Sequence, residues 1–228
     1  MDARMKPLEL TRDTLRDGFL RDAACPRVRQ HLLSPEALAR SIHETRAARP
    51  SHFGSADDEV WVFGYGSLIW NPAFHYAEKC CALLQGWHRS FCLKLFMGRG
   101  TPEKPGLMLA LDRGGACRGV AFRIPAAQVR QELWVLWQRE MFGGAYNARW
   151  VPLRLQDKVV KGLTFVINPL HPRYTKGLSA AQTARMILDG EGELGSNLEY
   201  FENTVSHLGA LGIKDTTLTR IAAFLPSA

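Results

Sequence analysis

Glu140 is the ionisable residue whose position most clearly suggests chemistry. The stretch 126–141 has helical periodicity, and at about 100° per residue Val129, Leu133 and Leu136 form one apolar stripe. Glu140 falls in the middle of that stripe. Because burying an unpaired carboxylate is costly, two interpretations stay open. Glu140 is either a structural salt-bridge residue at a frayed helix end, or a catalytic carboxyl whose pKa is raised by an apolar wall.

The residues around Glu140 indicate a one-sided helix. Trp137 lies on the flank of the apolar stripe, and Gly143-Gly144 are expected to end the helix shortly after Glu140. This arrangement places Glu140 in the last turn, at the edge of a cavity. Five polar residues lie off the centre of the stripe, as expected of a solvent-facing set: Arg130, Gln131, Glu132, Gln138 and Arg139.

The second candidate site is the turn Gly64-Tyr65-Gly66-Ser67-Leu68, which follows a strand-like run. Two glycines around a tyrosine permit positive φ and close backbone approach, so that several N–H groups could converge on an anionic oxygen. The turn lacks the third glycine of a dinucleotide-binding fingerprint and the lysine of a P-loop, and Ser67 lacks the flanking glycines of a nucleophile elbow. Ser67 is therefore expected to act through hydrogen bonds rather than as a nucleophile.

The elements that position these residues fall into two parts. Residues 1–56 are predicted to be a helical N-terminal extension, in which Ser34-Pro35 begins a helix that ends before Pro50. Pro50 to Asp58 has the composition of a linker. Strands separated by Gly or Pro turns are predicted at 60–63, 80–84, 90–96, 107–111, 119–124, 151–155 and 163–167. Further helices are predicted at 179–189, 196–209 and 215–225, with a capping box at Ser196 to Glu199. The fold class is α+β, with a mainly antiparallel sheet that could curl into a barrel.

Composition limits the classes of function. The chain of 228 residues has a net charge of +7 and 46% hydrophobic residues, which suffices for a packed core. It has neither an apolar run long enough to cross a bilayer nor a secretory signal, so we expect a cytoplasmic protein without a membrane partner. The five cysteines have no framework spacing and are expected as mostly buried reduced thiols. His and Cys residues show no metal-ligand spacing, so we expect no metal site.

The basic residues are concentrated from Lys79 to Arg123. An excess of this kind has three explanations, which are a solvated surface, a small anionic substrate and, third, nucleic acid. Because these residues alternate with apolar ones on predicted strands, we expect no nucleic-acid partner.

Both candidate sites lie in segments that resemble the ChaC family of glutathione-specific γ-glutamylcyclotransferases. The extended Gly-Tyr-Gly-Ser-Leu block, together with Arg139-Glu140 at the proper distance, is the most specific part of the resemblance. It covers about residues 59–225. The matching segments are Val62 to Pro72, Gly86 to Arg89, Gly98 to Thr101 with Pro105-Gly106, Arg139 to Met141 with Tyr146, and Asn197 to Tyr200.

The resemblance implies a γ-glutamylcyclotransferase-like catalytic domain over 57–228, a small and mostly antiparallel β-barrel flanked by helices. It implies no metal and no organic cofactor, and glutathione as a small-molecule substrate that is cyclised to 5-oxoproline with release of cysteinylglycine. Glu140 is implied as general base and acid. The implied substrate-binding residues are Gly64, Tyr65, Gly66, Ser67, Leu68 and Ile69 in the loop, Tyr146 and Tyr200 as hydroxyl donors, and Arg99 as partner of a glutathione carboxylate. For Arg99, Tyr146 and Tyr200 a role in packing or on a solvated surface is an equally good interpretation.

The chemistry requires few groups from the protein, because the γ-glutamyl group carries its own nucleophile, the α-amine. The protein has to hold this amine about 3–3.5 Å from the γ-carbonyl carbon. Glu140 could take a proton from the amine and deliver it to the departing cysteinyl nitrogen. The N–H groups of the Gly64–Ile69 loop could hold either the oxyanion or the α-carboxylate.

Two alternatives are retained. The first keeps the mechanism but changes the substrate to other γ-glutamyl peptides or amines. The second is a non-enzymatic binding or regulatory protein that uses its basic face for an acidic partner. A binding module gives no reason for a carboxylate at Glu140 on an apolar stripe, and this favours an enzyme.

Overall fold

The computed structural model describes residues 10–23, 29, 32–51 and 58–226. The N-terminal part contains helices α1 (Arg12–Arg16), α2 (Phe19–Ala23) and α3 (Pro35–Ala47). The predicted start of α3 is confirmed, because the Ser34 side chain accepts a hydrogen bond from the Ala37 N–H at 3.2 Å. The helix also ends before Pro50, as predicted. The greater part of the predicted linker from Pro50 to Asp58 lies outside the described residues.

The five strands are β1 (Val60–Gly64), β2 (Glu78–Leu95), β3 (Gly106–Ile124), β4 (Tyr146–Arg154) and β5 (Val159–Ile167). They form a closed barrel in the order β1-β3-β2-β4-β5. Strand β1 is antiparallel to β3 with Val60 opposite Ile124, β4 is antiparallel to β5 with Tyr146 opposite Ile167, and β1 runs parallel to β5. The predicted α+β class with a mostly antiparallel barrel flanked by helices is confirmed.

The division of β2 and β3 into shorter strands was wrong. The predicted strands at 80–84 and 90–96 are parts of the single strand β2, and those at 107–111 and 119–124 are parts of β3. The glycines that suggested turns lie inside these strands with positive φ, +80° at Gly86 and +101° at Gly114. A glycine within a strand can bend it without ending its pairing.

The chain divides into two compact units. The first comprises residues 11–90 and 110–172, and includes α1 to α3, most of the barrel and helix α4 (Val129–Glu140). A short 3-10 turn, Ala126–Gln128, precedes α4. Helix α4 contacts both α1 and α3, and it packs on β5 through Trp137 and Phe165, whose ring centroids are 5.3 Å apart. The predicted helix over 126–141 is confirmed in position, and it ends at Glu140.

The second unit comprises residues 91–109 and 173–226, together with Leu10. Its three helices confirm the predicted ones, although the last of them is shorter than predicted. Asn197 is fully buried and exchanges two hydrogen bonds of 2.7 Å with the backbone of Leu107. The elements are α5 (Ala180–Asp189), the two-residue strands β6 (Glu191–Gly192) and β7 (Gly195–Ser196), α6 (Asn197–Ala210) and α7 (Thr216–Ala222).

Within the described residues, none of the helices has the length and apolar character needed to span a membrane. The cysteines in this part of the chain are present as thiols, and two of the four are buried. Cys25, the fifth cysteine of the sequence, lies outside the described residues.

Candidate active site

Glu140 is the last residue of α4, and only 14% of its side chain is exposed. Burial raises the pKa of the Glu140 carboxyl, and the positive charge of Arg139 acts in the opposite direction. The Nε of Arg139 lies 3.1 Å from Glu140 Oε1. A buried carboxyl with a raised pKa is suited to accept and donate a proton near neutral pH.

The predicted solvent-facing set of α4 was partly wrong. Arg130 and Gln131 are exposed, but Glu132, Gln138 and Arg139 are buried. The periodicity assumed one covered face, whereas α1 and α3 contact the helix in addition to the barrel. Glu132 accepts three hydrogen bonds from Arg12 in α1, at 3.3, 3.1 and 2.8 Å. Helix α4 therefore has polar partners on the side that the sequence assigned to water.

The loop after β1 forms a 3-10 turn over Ser67–Ile69. The Ile69 N–H donates to the Gly66 carbonyl at 2.8 Å, so this N–H is used within the turn. The N–H groups of Gly66, Ser67 and Leu68 stand at the start of the turn, where intrahelical partners are missing by geometry. Within the predicted loop from Gly64 to Ile69, these three are the better candidates to bind an anion.

The glycines of this loop act differently from the prediction. Neither Gly64 nor Gly66 has a positive φ, so that part of the prediction was wrong. Close approach does hold at Gly64, because a Cβ there would lie 3.0 Å from the Leu68 Cβ and 3.1 Å from a ring carbon of Phe122. Gly64 is therefore required by packing at the end of β1.

Two buried side chains anchor the beginning of the loop. The Tyr65 hydroxyl donates to the Phe165 carbonyl at 2.9 Å, so the side chain of Tyr65 ties the loop to β5. Arg89 in β2 is only 2% exposed, and its Nε donates to the Tyr65 carbonyl at 2.6 Å. Another of its nitrogens donates to the Arg118 carbonyl. Arg89 therefore links the beginning of the loop to β2.

Arg139 connects the end of the loop to Glu140. Its Nη2 donates to Ser67 Oγ at 2.8 Å, and its Nη1 donates to the Asn71 carbonyl. Its Nε contacts Glu140. The predicted loop and the predicted acid–base residue are thus brought together through one guanidinium group, and the Ser67 hydroxyl serves as a hydrogen-bond acceptor.

Tyr146 is the first residue of β4, opposite Ile167, and is 6% exposed. It belongs to the same unit as Glu140. Its role as a hydroxyl donor to substrate stays a prediction.

Arg99 and Tyr200 are neighbours in the second unit. The Arg99 guanidinium carbon lies 6.0 Å from the centroid of the Tyr200 ring, and Tyr200 is 7% exposed. Arg99 Nη1 also donates to the Ser196 carbonyl at 2.7 Å and to Glu199 Oε2 at 2.9 Å. Ser196 caps α6 as predicted, but the predicted capping box is incomplete, because the Glu199 carboxylate accepts from Arg99 instead of from the Ser196 N–H. Arg99 therefore has a structural partner, and its role in binding a substrate carboxylate stays a prediction.

The sequence interpretation gave no role to Arg89 or Arg139, although both lie in segments of the family resemblance. A signal was present for Arg89, because in the period-two pattern of a strand it shares its parity with Phe91 and Leu93. For Arg139 the helical period pointed away from the core, and only its place beside Glu140 hinted at a function.

The described residues contain no cluster of three or more His, Cys, Asp or Glu side chains arranged to hold a metal ion. One cavity of about 290 Å³ lies beside the start of α4. None of its lining residues belongs to the predicted site: Phe74, His75, Tyr76, Ala77, Pro125 and Gln128.

Comparison with known proteins gives consistent matches. The family model of ChaC-like proteins matches residues 60–226. A glutathione-specific gamma-glutamylcyclotransferase of Escherichia coli K12 is 41% identical over 210 residues, covering 92% of this chain and 89% of that protein. The mouse glutathione-specific gamma-glutamylcyclotransferase 1 is 34% identical, covering 68% of this chain and 71% of that protein.

A solved structure has the same fold. The crystal structure of a yeast gamma-glutamyl cyclotransferase specific to glutathione matches with a TM-score of 0.66 at 20% identity. The match covers 74% of this chain and 97% of that one.

Proposed function

The chain belongs to the ChaC-like family, and from this premise we propose that it is an enzyme that cyclises the γ-glutamyl group of glutathione. The products are 5-oxoproline and cysteinylglycine. The names of the E. coli and mouse relatives support glutathione as the substrate.

One observation carries the mechanism, namely the buried Glu140 carboxyl that Arg139 joins to the Ser67 turn. A catalytic acid–base group has to be close to the place where substrate is held, and it needs a pKa nearer to neutrality than that of an exposed carboxyl. Glu140 meets the second requirement through burial, and its link to the loop supports the first.

The reaction proceeds in two stages. Glu140 as carboxylate takes a proton from the α-ammonium group, and the free amine attacks the γ-carbonyl carbon to form a five-membered ring and an oxyanion. The oxyanion then collapses, the bond to the cysteinyl nitrogen breaks, and protonated Glu140 supplies the proton that this nitrogen needs to leave as an amine. The ring nitrogen gives its remaining extra proton to the Glu140 carboxylate, and the released amine of cysteinylglycine takes this proton up, which restores the carboxylate. No water is consumed, so the ring of 5-oxoproline retains the γ-carbonyl oxygen.

The N–H groups of Gly66, Ser67 and Leu68 are proposed to hold the oxyanion or the α-carboxylate. Tyr146, Tyr200 and Arg99 are proposed as further substrate contacts, with Arg99 receiving the glycyl carboxylate. We also propose that the protein acts in the cytoplasm. The thiols of the described cysteines support this, because a reducing compartment keeps cysteines in that form.

The direct test is to incubate the purified protein with glutathione in water enriched in oxygen-18. We expect 5-oxoproline and cysteinylglycine in equal amounts, with no label in the 5-oxoproline. Labelled glutamate would indicate hydrolysis instead of cyclisation. The absence of both products would contradict the proposed function.

A further inference from the structure

Arg139 occupies a position that the proposed reaction does not yet use. Its side chain is 7% exposed, and its three nitrogens face three different groups. Nε forms an ion pair with the Glu140 carboxylate, Nη2 donates to Ser67 Oγ, and Nη1 donates to the Asn71 carbonyl. The planar guanidinium can hold all three at once, whereas a lysine ammonium would act as a single point charge.

The two ends of this arrangement belong to segments that are far apart in the chain. Ser67 begins the 3-10 turn of the loop, Asn71 lies two residues after its end and donates its N–H to the Ser67 carbonyl at 2.9 Å, and Glu140 ends α4. A small displacement of catalytic groups relative to substrate can lower the rate by about 10²-fold. A rigid link between the loop and the carboxylate therefore has a direct consequence for the rate.

We propose that Arg139 is a positioning residue that holds the Glu140 carboxylate and the Ser67–Asn71 turn in one fixed arrangement. This inference rests on the proposed function, because it assumes that the loop holds the substrate on which Glu140 acts.

The charge of Arg139 has a second effect. Among the described residues, Arg139 is the ionisable group whose charge acts on the Glu140 carboxyl, and it opposes the rise in pKa that burial causes. The loop carries one further titratable side chain, the Tyr65 phenol, and its hydroxyl is engaged by the Phe165 carbonyl. Removal of the guanidinium should therefore raise the pKa of Glu140 further.

Three variants separate position from charge. Arg139→Gln removes both the fork of hydrogen bonds and the charge. Arg139→Lys keeps the charge but cannot contact all three partners. Ser67→Ala removes one anchor of the turn and leaves the guanidinium beside Glu140.

The readouts are the pH profile of kcat/KM and the titration of the Glu140 carboxyl carbon by ¹³C NMR, assigned by its absence in Glu140→Gln. In Arg139→Gln we expect the acid limb of the profile and the carboxyl titration to move to higher pH. In Arg139→Lys and Ser67→Ala we expect both to stay near wild type, while plateau kcat/KM falls by about 10- to 100-fold.

Two results would overturn the inference. One is a folded Arg139→Gln protein in which Glu140 titrates at the wild-type pH. The other is a wild-type plateau kcat/KM in Arg139→Lys and Ser67→Ala, and this outcome decides the matter even if Arg139→Gln does not fold. The NMR titration needs no substrate, so it tests the Arg139–Glu140 pairing even if the wild-type protein forms no 5-oxoproline and the proposed function fails.

Discussion

The Nη2 of Arg139 donates to Ser67 Oγ at 2.8 Å, although 72 residues separate the two in the chain. This hydrogen bond joins the end of α4 to the turn that follows β1. Because Glu140 is the next residue after Arg139, the position of its carboxyl is tied to the loop rather than to the helix alone.

Glu140→Gln should abolish most of the activity without unfolding the protein. Glutamine retains an oxygen that can accept from Arg139 but cannot take up a proton at neutral pH. We expect turnover to fall by about 10²- to 10⁴-fold, while glutathione binding largely survives. The melting temperature should be unchanged or higher, because a buried charge held for function is removed. Steady-state kinetics, calorimetric binding and thermal unfolding on one preparation measure all three quantities.

Glu132→Gln is the matched control, since Glu132 is a second buried carboxyl on the same helix. Its partners are Arg12 and the His75 N–H, which donates to it at 3.0 Å. We expect this variant to lose stability and to keep its turnover per folded molecule. A Glu140→Gln protein that is well folded and turns over at the wild-type rate would contradict the proposed acid–base mechanism.

The elements of the fold were largely predictable from the sequence, and their limits less so. The start of α3 and most strands followed from local patterns, such as Ser34 before Pro35. The continuity of β2 through Gly86 did not, because a glycine that bends a strand and one that ends it look alike without the partner strand.

The site was predictable from the sequence where a charged residue interrupts an apolar periodic pattern. Glu140 stood out as a charge on an apolar stripe, but Glu132 and Arg139 were assigned to solvent. Their burial depends on α1, α3 and the turn after β1, which pack against α4 from distant parts of the sequence. A helical period contains information about one covered face and none about a second one.

The two buried carboxyls of α4 should give opposite dependences of stability on pH. The pKa of Glu140 is raised from the usual value of 4.5 by burial, so the folded protein binds its proton more tightly than the unfolded chain. Stability should therefore fall as the pH rises from 4.5 through the folded pKa of Glu140. Burial also acts to raise the pKa of Glu132, but the hydrogen bonds from Arg12 and the His75 N–H outweigh it and lower that pKa. The stabilisation that Glu132 contributes to the folded state should be fully present above pH 4.5 and should be lost as the pH falls through the folded pKa of Glu132.

Thermal unfolding of the wild type and both glutamine variants between pH 3 and 8 measures these contributions, a range chosen to bracket the usual carboxyl pKa values of about 4. The stability gained by Glu140→Gln should grow as the pH rises above 4.5, and the stability lost in Glu132→Gln should shrink below it. Parallel curves for all three proteins would show that neither carboxyl has a shifted pKa.

Arg12→Met should destabilise the protein through Glu132. The substitution leaves a carboxylate with a 1% exposed side chain without its guanidinium partner. We expect the free energy of unfolding to fall by about 1–3 kcal/mol, with turnover per folded molecule near wild type. Arg16→Met in the same helix is the control, because Arg16 is more exposed and its guanidinium pairs with the exposed carboxylates of Asp13 and Asp17. Its effect on the free energy of unfolding should be much smaller than that of Arg12→Met, because water screens exposed ion pairs. Equal denaturant midpoints for the two variants would contradict this account of α1.

Strong chelators should leave the activity unchanged. The proposed mechanism transfers protons through Glu140, and the described residues provide no metal-binding cluster. Turnover of glutathione is measured before and after dialysis against EDTA, with a metal-free buffer as control. Loss of activity that a divalent ion restores would require a different mechanism.

Arg99→Ala should weaken glutathione binding more than it slows the chemistry. If Arg99 holds the glycyl carboxylate through a charge-assisted hydrogen bond, its loss should raise KM by about tenfold or more with a smaller change in kcat. The same contact predicts that glutathione is preferred over γ-glutamyl-alanine, whose carboxylate comes one residue too early.

Because Arg99 also pairs with Glu199 at 2.9 Å, Glu199→Gln is the control. It removes the ion pair and keeps the guanidinium, so we expect a KM near wild type. A purely structural role predicts that both variants lower the melting temperature equally and leave KM unchanged. That result, together with equal kcat/KM for the two substrates, would remove Arg99 from the binding site and the preference for glutathione from the proposed function.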